Sequence, residues 1–368
     1  MKVLKLLALT MVFPWLLAPP TWAQTSEGAT GPSGVNIQRR TGGDAGAPIT
    51  GGLSTAVDVQ SEMRMFIQNV AAYARSQNPR FLIVARGGLE LLSKRNLADD
   101  TLRAPARTYM RSLDGLMVDA MFVGRPAIGQ QTDEGFAERM HSFVNMAQSN
   151  GLRILTLDLA REPRVVDAAL RAAAKEGYAP AVVHAPVAEL TELPPYPSRP
   201  FNENPKSVLS LKDVRNYAYI ANSSGYGRQD EFALKLHGTN YDLIIVDVFH
   251  GRQPLSRRAV ETLKYKKLGA KRLVLARMNI GAAASYQFYW QQGWREGSPS
   301  WITAPMPTDP DRFFVEYWRP AWQDLIFGNP NSYVFGLVRQ GFDGVVLEGL
   351  NTFKFFESGA DSFAEALP

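Results

Sequence analysis

The chain of 368 residues is 45% hydrophobic and 20% charged, with 30 Gly, 24 Pro and no Cys, a balance that fits a globular protein and excludes collagen-like and disordered polyelectrolyte chains. The missing cysteines exclude a disulfide scaffold, an iron–sulfur cluster, a thiolate zinc site, a cysteine nucleophile and a cysteine-linked lipid anchor. A formal charge of +5, dispersed along the chain, gives no concentrated basic stripe of the kind a nucleic-acid partner needs.

Residues 1–23 begin with Lys2 and Lys5, continue through an apolar run from Leu6 to Leu17 and end on Thr21-Trp22-Ala23. This layout predicts a signal peptide cleaved after Ala23, and therefore a secreted or periplasmic protein. Pro14 interrupts the apolar run, which is short for a bilayer, so no membrane span is expected once the signal is removed. Residues 24–52 are rich in Gly, Ser and Thr with few large apolar side chains, which predicts a flexible leader. Residues 53–368 then form the folded part, with a Pro-rich connection at 190–205.

Along that part, short apolar runs alternate with longer amphipathic stretches. The runs are Phe81 to Ala85, Leu116 to Asp119, Ile154 to Asp158, Ala181 to His184, Tyr217 to Ile220, Asp242 to Asp247, Leu273 to Ala276 and Gly344 to Glu348. Helical patterns fall at Val57 to Ser76, Thr132 to Ser149, Arg164 to Glu176, Ser256 to Lys267 and Asn331 to Gly341, several with a capping residue ahead and a glycine behind. Strands alternating with helices predict an α/β protein with a parallel sheet, and eight strands predict a single (β/α)8 barrel of the TIM type. The competing open doubly wound sheet lacks the G-x-G-x-x-G turn of its nucleotide-binding form.

In a barrel, function gathers where the strands end. Several runs end in polar groups: Arg86 before two glycines, Asp119, Asp158, His184, Asn222 with Ser223, Asp247 with His250, Asn279, and Glu348 with Asn351. Such residues either serve a site or cap local backbone. Asp119, Asp158, Asp247 and Glu348 would share one mouth with an expected long loop, 280–330, carrying Tyr286, Tyr289, Trp290, Trp294, Trp301, Tyr317, Trp318 and Trp322. Carboxylate pairs supply the acid and the nucleophile or base of glycosidic cleavage, and aromatic faces stack on sugar rings, so the combination points to carbohydrate. The same aromatics would serve equally to cover the barrel end. His141, His184, His237 and His250 show no H-x-H or H-E-x-x-H spacing, no G-x-S-x-G elbow surrounds a serine, and neither metal nor cofactor is expected.

Four ordered segments carry a family resemblance: YDLIIVDVF (241–249), LVLARMNIGAAASYQFYW (273–290), FFVEYWRPAWQDLIF (313–327) and GFDGVVLEGLNTFKFF (341–356). They resemble the barrel of the endo-α-1,4-polygalactosaminidases, glycoside hydrolase family 114, in which comparable stretches read YDLLVID, VLAYLSIGEAEDYRFYW, VDYWDPEWQ and GVYLDxVDAY. Residues 66–88, 113–124 and 152–160 resemble that family's later half placed first, which implies a circularly permuted barrel whose old junction is the Pro-rich stretch 190–205. A closed barrel tolerates such a change because its first and last elements are neighbours.

The resemblance implies a secreted glycoside hydrolase acting on a hexosamine-containing, polygalactosamine-type exopolysaccharide. It places one catalytic carboxylate at Asp247 as nucleophile or base. The other, a glutamate of the IGEAEDYR segment, falls on Ala284, and that segment here reads Ile280-Gly-Ala-Ala-Ala-Ser-Tyr-Gln287, without its glutamates, aspartate or arginine. Glu348 stands where the GVYLD aspartate would, one methylene longer, and is the expected substitute general acid. Asp119, Asp158, Tyr286, Tyr289, Trp290, Tyr317 and Trp318 are the expected substrate contacts. The alternative is a catalytically inactive carbohydrate-binding protein of polysaccharide assembly or export. A purely structural protein would instead have its mouth plugged by its own side chains.

Overall fold

The computed structural model describes residues 57–359 apart from 97 and 98. The expected signal peptide (1–23), the leader (24–52) and residues 53–56 and 360–368 lie outside the described residues.

All eight expected runs are strands: β1 Leu82–Arg86, β2 Gly115–Asp119, β3 Arg153–Leu159, β4 Ala179–Val183, β5 Tyr217–Ile220, β6 Leu243–Val246, β7 Leu273–Asn279 and β8 Gly344–Glu348. They make one parallel sheet in the order β4-β3-β2-β1-β8-β7-β6-β5. The last strand joins the first, with Leu82 opposite Gly344 and Ala85 opposite Leu347. β4 and β5 lie side by side but share no hydrogen-bonded ladder among the described residues. The sheet is thus a nearly closed (β/α)8 barrel with one seam. Pro180, lacking an N–H to donate, sits in β4 on this seam, as proline in a sheet sits on an edge. The Pro-rich stretch bridges the same seam: residues 184–216 form only single 3₁₀ turns, at 187–189 and 211–213.

Nine helices of the described chain surround the sheet: α1 Val59–Gln77, α2 Arg107–Ser112, α3 Glu134–Ser149, α4 Pro163–Lys175, α5 Gln229–His237, α6 Arg257–Leu263, α7 Pro320–Ile326, α8 Tyr333–Gln340 and α9 Phe353–Ser358. α4 shows why they form. Pro163 enters at the first turn, where a missing N–H costs nothing, and Val166, Ala169, Leu170 and Ala173 recur on one face and are buried. Burial of the valine and the leucine contributes about 1.5–3 kcal/mol each. Asp58 caps α1 by accepting from the Ser61 N–H at 3.0 Å.

Strand parity divides the core. Val84, Met117, Leu155, Leu157, Ile245, Leu275 and Val346 fill the barrel, while residues one position away, such as Ile83, Leu116, Ile154 and Ile244, pack under the helices.

The stretch 280–330, expected as a loop, carries a three-stranded antiparallel sheet and a helix. Ala282–Ala284 pairs antiparallel with Asp309–Val315, which pairs with Ile302–Met306, and α7 follows. Its aromatics explain the difference, because rings this large are stabilised by burial. Trp322 is fully buried and donates its indole N–H to the Ile280 carbonyl at 2.9 Å. Gly281 lets the connection pass close to the segment after β8: a Cβ there would stand 2.1 Å from the Gly349 carbonyl oxygen.

Candidate functional site

Five charged side chains crown the barrel because each stands two residues beyond an interior core residue. Arg86 follows Val84, Asp119 follows Met117, Asp247 follows Ile245, Arg277 follows Leu275 and Glu348 follows Val346. With a period of two, all five turn inward at the carboxyl ends of their strands. The three remaining strands bring Leu159, Ala185 and Ala221 to that level, so five of the eight strands give the rim a charge and three give it an apolar group.

The charges alternate around the five adjacent strands β2-β1-β8-β7-β6. The Arg86 guanidinium grips Asp119, with Nε 3.1 and 3.0 Å from its two oxygens and Nη2 at 2.8 Å, and reaches Glu348 Oε1 with Nη1 at 2.9 Å. Arg277 holds Glu348 Oε2 with Nη2 at 2.7 Å and stands 3.9 Å from Asp247 Oδ2. The Tyr219 hydroxyl donates to Glu348 Oε1, and both guanidinium carbons lie over its ring, at 5.4 and 5.9 Å from the centroid. One guanidinium therefore bridges the two carboxylates expected to be catalytic.

Their environments differ. Burial alone would raise the Glu348 carboxyl, but Arg277, Arg86 and the Tyr219 hydroxyl outweigh it and hold the group well below the usual glutamate range. That environment favours the ionised form of Glu348, whereas a general acid needs a proton to give. At Asp247 burial wins. It pushes the carboxyl up against Arg277 and the Phe249 N–H, with Glu348 adding to the rise. The Asp247 side chain is also the more accessible, 26% against 8% exposed.

The other expected contacts divide. Asp119 belongs to the rim. Asp158 does not: it is fully buried, and its Oδ1 accepts the backbone N–H groups of Phe122 and Val123 at 2.7 and 3.0 Å. It sits one position off the interior residue Leu157 and ties down the segment after β2, where burial pushes its carboxyl up to about 7. Tyr317 is fully buried and donates to the Val59 carbonyl at 2.7 Å, while Trp318 packs on Phe356 at 4.9 Å. Both fasten the 280–330 stretch to α1 and α9, Tyr317 fully buried and Trp318 half-buried. Trp290 stacks on Phe313, and Tyr286 remains exposed with its hydroxyl on Asp309 at 2.8 Å. Tyr289 lies closer to the mouth, edge-on to Trp322 and beside Phe288 at 5.3 Å.

Sequence reasoning missed four residues of the mouth. Arg277 fell beyond the expected strand, which ended at Ala276 but runs to Asn279; its signal was an arginine two residues after an inward leucine. Tyr219 was hidden inside an apolar run. Phe249 donates its N–H to Asp247 Oδ1 at 2.9 Å, and its ring lies 5.5 Å from that of Phe288, which is 38% exposed. Other polar strand ends serve local backbone: Asn279 Oδ1 accepts from Gly281 and Ala282, and Asn351 Oδ1 from Gly88. Ala284 is buried opposite Arg312. Among the described residues no three His, Asp or Glu side chains are grouped to hold a metal ion, and no helix is long and apolar enough to cross a membrane.

No family model matches the chain. It is similar to an uncharacterized protein of Methanocaldococcus jannaschii, 29% identical over 174 residues, 44% of this chain and 49% of that protein. An uncharacterized protein of Deinococcus radiodurans is 30% identical over 142 residues, 39% of this chain and 43% of that one. One of Thermotoga maritima is 26% identical over 131 residues, 36% of this chain and 39% of that one. The chain spans less than half the length of these curated relatives.

Proposed function

We propose that this protein is a carbohydrate-active barrel of the polygalactosaminidase type, exported through the segment 1–23 and acting on a hexosamine-containing polysaccharide at the Asp247 side of the mouth. The observation that carries the reading is the pair of carboxylates on Arg277 whose environments push them apart, Asp247 up and Glu348 down. Such a divided pair suits the two halves of glycosidic cleavage. Asp247, accessible and raised, is fitted to give a proton to the leaving oxygen. Glu348, fixed as an anion, is fitted to stabilise the oxocarbenium-like transition state. These roles reverse those the sequence suggested. The rim holds three carboxylates against two guanidiniums, a surplus that favours a protonated amino sugar, and Phe249 with Phe288 offers rings on which a sugar face can stack.

A second reading, binding without cleavage, is favoured by Ala284, which matches the resembling family's catalytic glutamate and is buried. One experiment separates the two. Incubated with partly deacetylated galactosaminoglycan, the wild type releases reducing ends and Asp247→Asn does not, while the variant still binds by calorimetry. Phe288→Ala weakens binding about three- to tenfold, the worth of one aromatic contact. Binding with no release by the wild type selects the second reading, and neither binding nor release refutes both.

A further inference from the structure

At the Asp119 end of the rim the mouth opens into a cavity of 320 Å³ that the chemistry above leaves unused. Its walls come from the glycine turn after β1, the segment after β2, one face of α3 and the start of α9. Gly87 and Gly88 have φ of +74° and +63°, a left-handed turn that glycine adopts without steric cost. The charged lining residues are Arg125, Arg139 and Lys354 against Glu90 and Asp119.

Both carboxylates are engaged by cations. Asp119 lies in the Arg86 fork at 2.8 Å, and Glu90 holds Lys354 Nζ at 2.6 Å. Arg139 forms no ion pair among the described residues. Its guanidinium carbon and that of Arg125 lie 5.7 and 4.3 Å from the centroid of the same Phe136 ring. Two guanidinium groups thus flank one aromatic ring at the edge of a cavity, and of the wall's charged groups Asp119 and Glu90 are engaged by Arg86 and Lys354. Guanidinium groups held by a ring present flat arrays of N–H donors that match the oxygens of a carboxylate or phosphate.

We propose that this cavity is a binding site for an oxyanion group, a carboxylate or phosphate borne by a sugar-sized ligand, with Arg139 as its principal contact. The inference concerns charge and shape at α3 and stands whether or not the mouth cleaves a glycan. On β2 and β6 the two ends of the rim sit across the barrel, so a ligand chain lying over the mouth would meet negative potential at Asp247 and positive potential at Arg139.

The test is calorimetric titration of the full chain with galacturonate, inorganic phosphate and galactosamine at low salt. Saturable binding of galacturonate, of phosphate or of both is expected, and which of them binds identifies the oxyanion's source. Arg139→Ala should weaken that binding about tenfold or more, the worth of a charged hydrogen bond, and added salt should weaken it in the wild type. Arg139 is exposed on α3, so the ligand-free melting temperature should not move. Arg139→Gln, which keeps the alkyl chain over Phe136, should lose binding as the alanine variant does. Binding of neither anion overturns the proposal, as does anion binding that both variants retain.

Discussion

Replacing Arg277 by Met tests the ionic chain at its most connected point. The guanidinium contacts Glu348 Oε2 through Nη2 at 2.7 Å and Nε at 3.2 Å, and stands 3.9 Å from Asp247. Removing one partner of a buried ion pair costs about 3–5 kcal/mol, because it leaves an uncompensated charge. Glu348 keeps Arg86 and Tyr219, so the loss should fall near the low end, about 3 kcal/mol. Glu348→Leu removes the charge itself, and the double variant should be more stable than the sum of the single losses by about 2 kcal/mol, the scale of coupling within one network. Urea unfolding of the four proteins gives these values. The pH dependence supplies a second readout. The folded-state pKa of Glu348 lies below its ordinary 4.5, so its stabilisation is present above about pH 4.5 and is lost as pH falls toward the folded value. With Arg277 gone, the folded value rises toward 4.5, so the loss on acidification should be smaller and should be complete at higher pH. Single losses that add within 0.5 kcal/mol, or an acid limb that does not move, would refute the idea that Glu348 is held by this network.

Asp158 behaves in the opposite sense. Its folded pKa of about 7 lies above the unfolded 3.8, so its stabilisation is complete below about pH 4 and is lost as pH rises through 7. Asp158→Asn keeps an oxygen for the Phe122 and Val123 N–H groups and should flatten the stability profile between pH 4 and 8, gaining up to roughly 4 kcal/mol relative to wild type at the alkaline end; thermal melts across that range check it, and an unchanged slope refutes it. At the other end of the barrel, Lys266 is fully buried on Asp242 at 2.6 Å and on the Lys206 carbonyl at 2.9 Å. Lys266→Met should cost about 3–5 kcal/mol in urea unfolding, with part restored when Asp242→Asn is added, since the orphaned charge is then removed.

The sequence alone determined which stretches become strands and the order in which they are laid down, because a buried parallel strand must be a short apolar run and β-branched residues fit its pleat. It also identified Asp119, Asp247 and Glu348, since a carboxylate closing an apolar run has little use in the core. Tertiary structure decided the rest. Asp158 closes a run just as Asp247 does, yet it faces the helices, because side chains alternate between inside and outside and one position separates the two faces. Arg277 became the bridge only when β7 was set between β6 and β8. Tyr317 is buried against α1 and Trp318 packs on Phe356 of α9 because the segment that follows the small sheet runs along these two helices. Whether a strand-end charge meets a partner or a ligand depends on which strands are neighbours, and those pairings join residues tens to hundreds of positions apart in the chain.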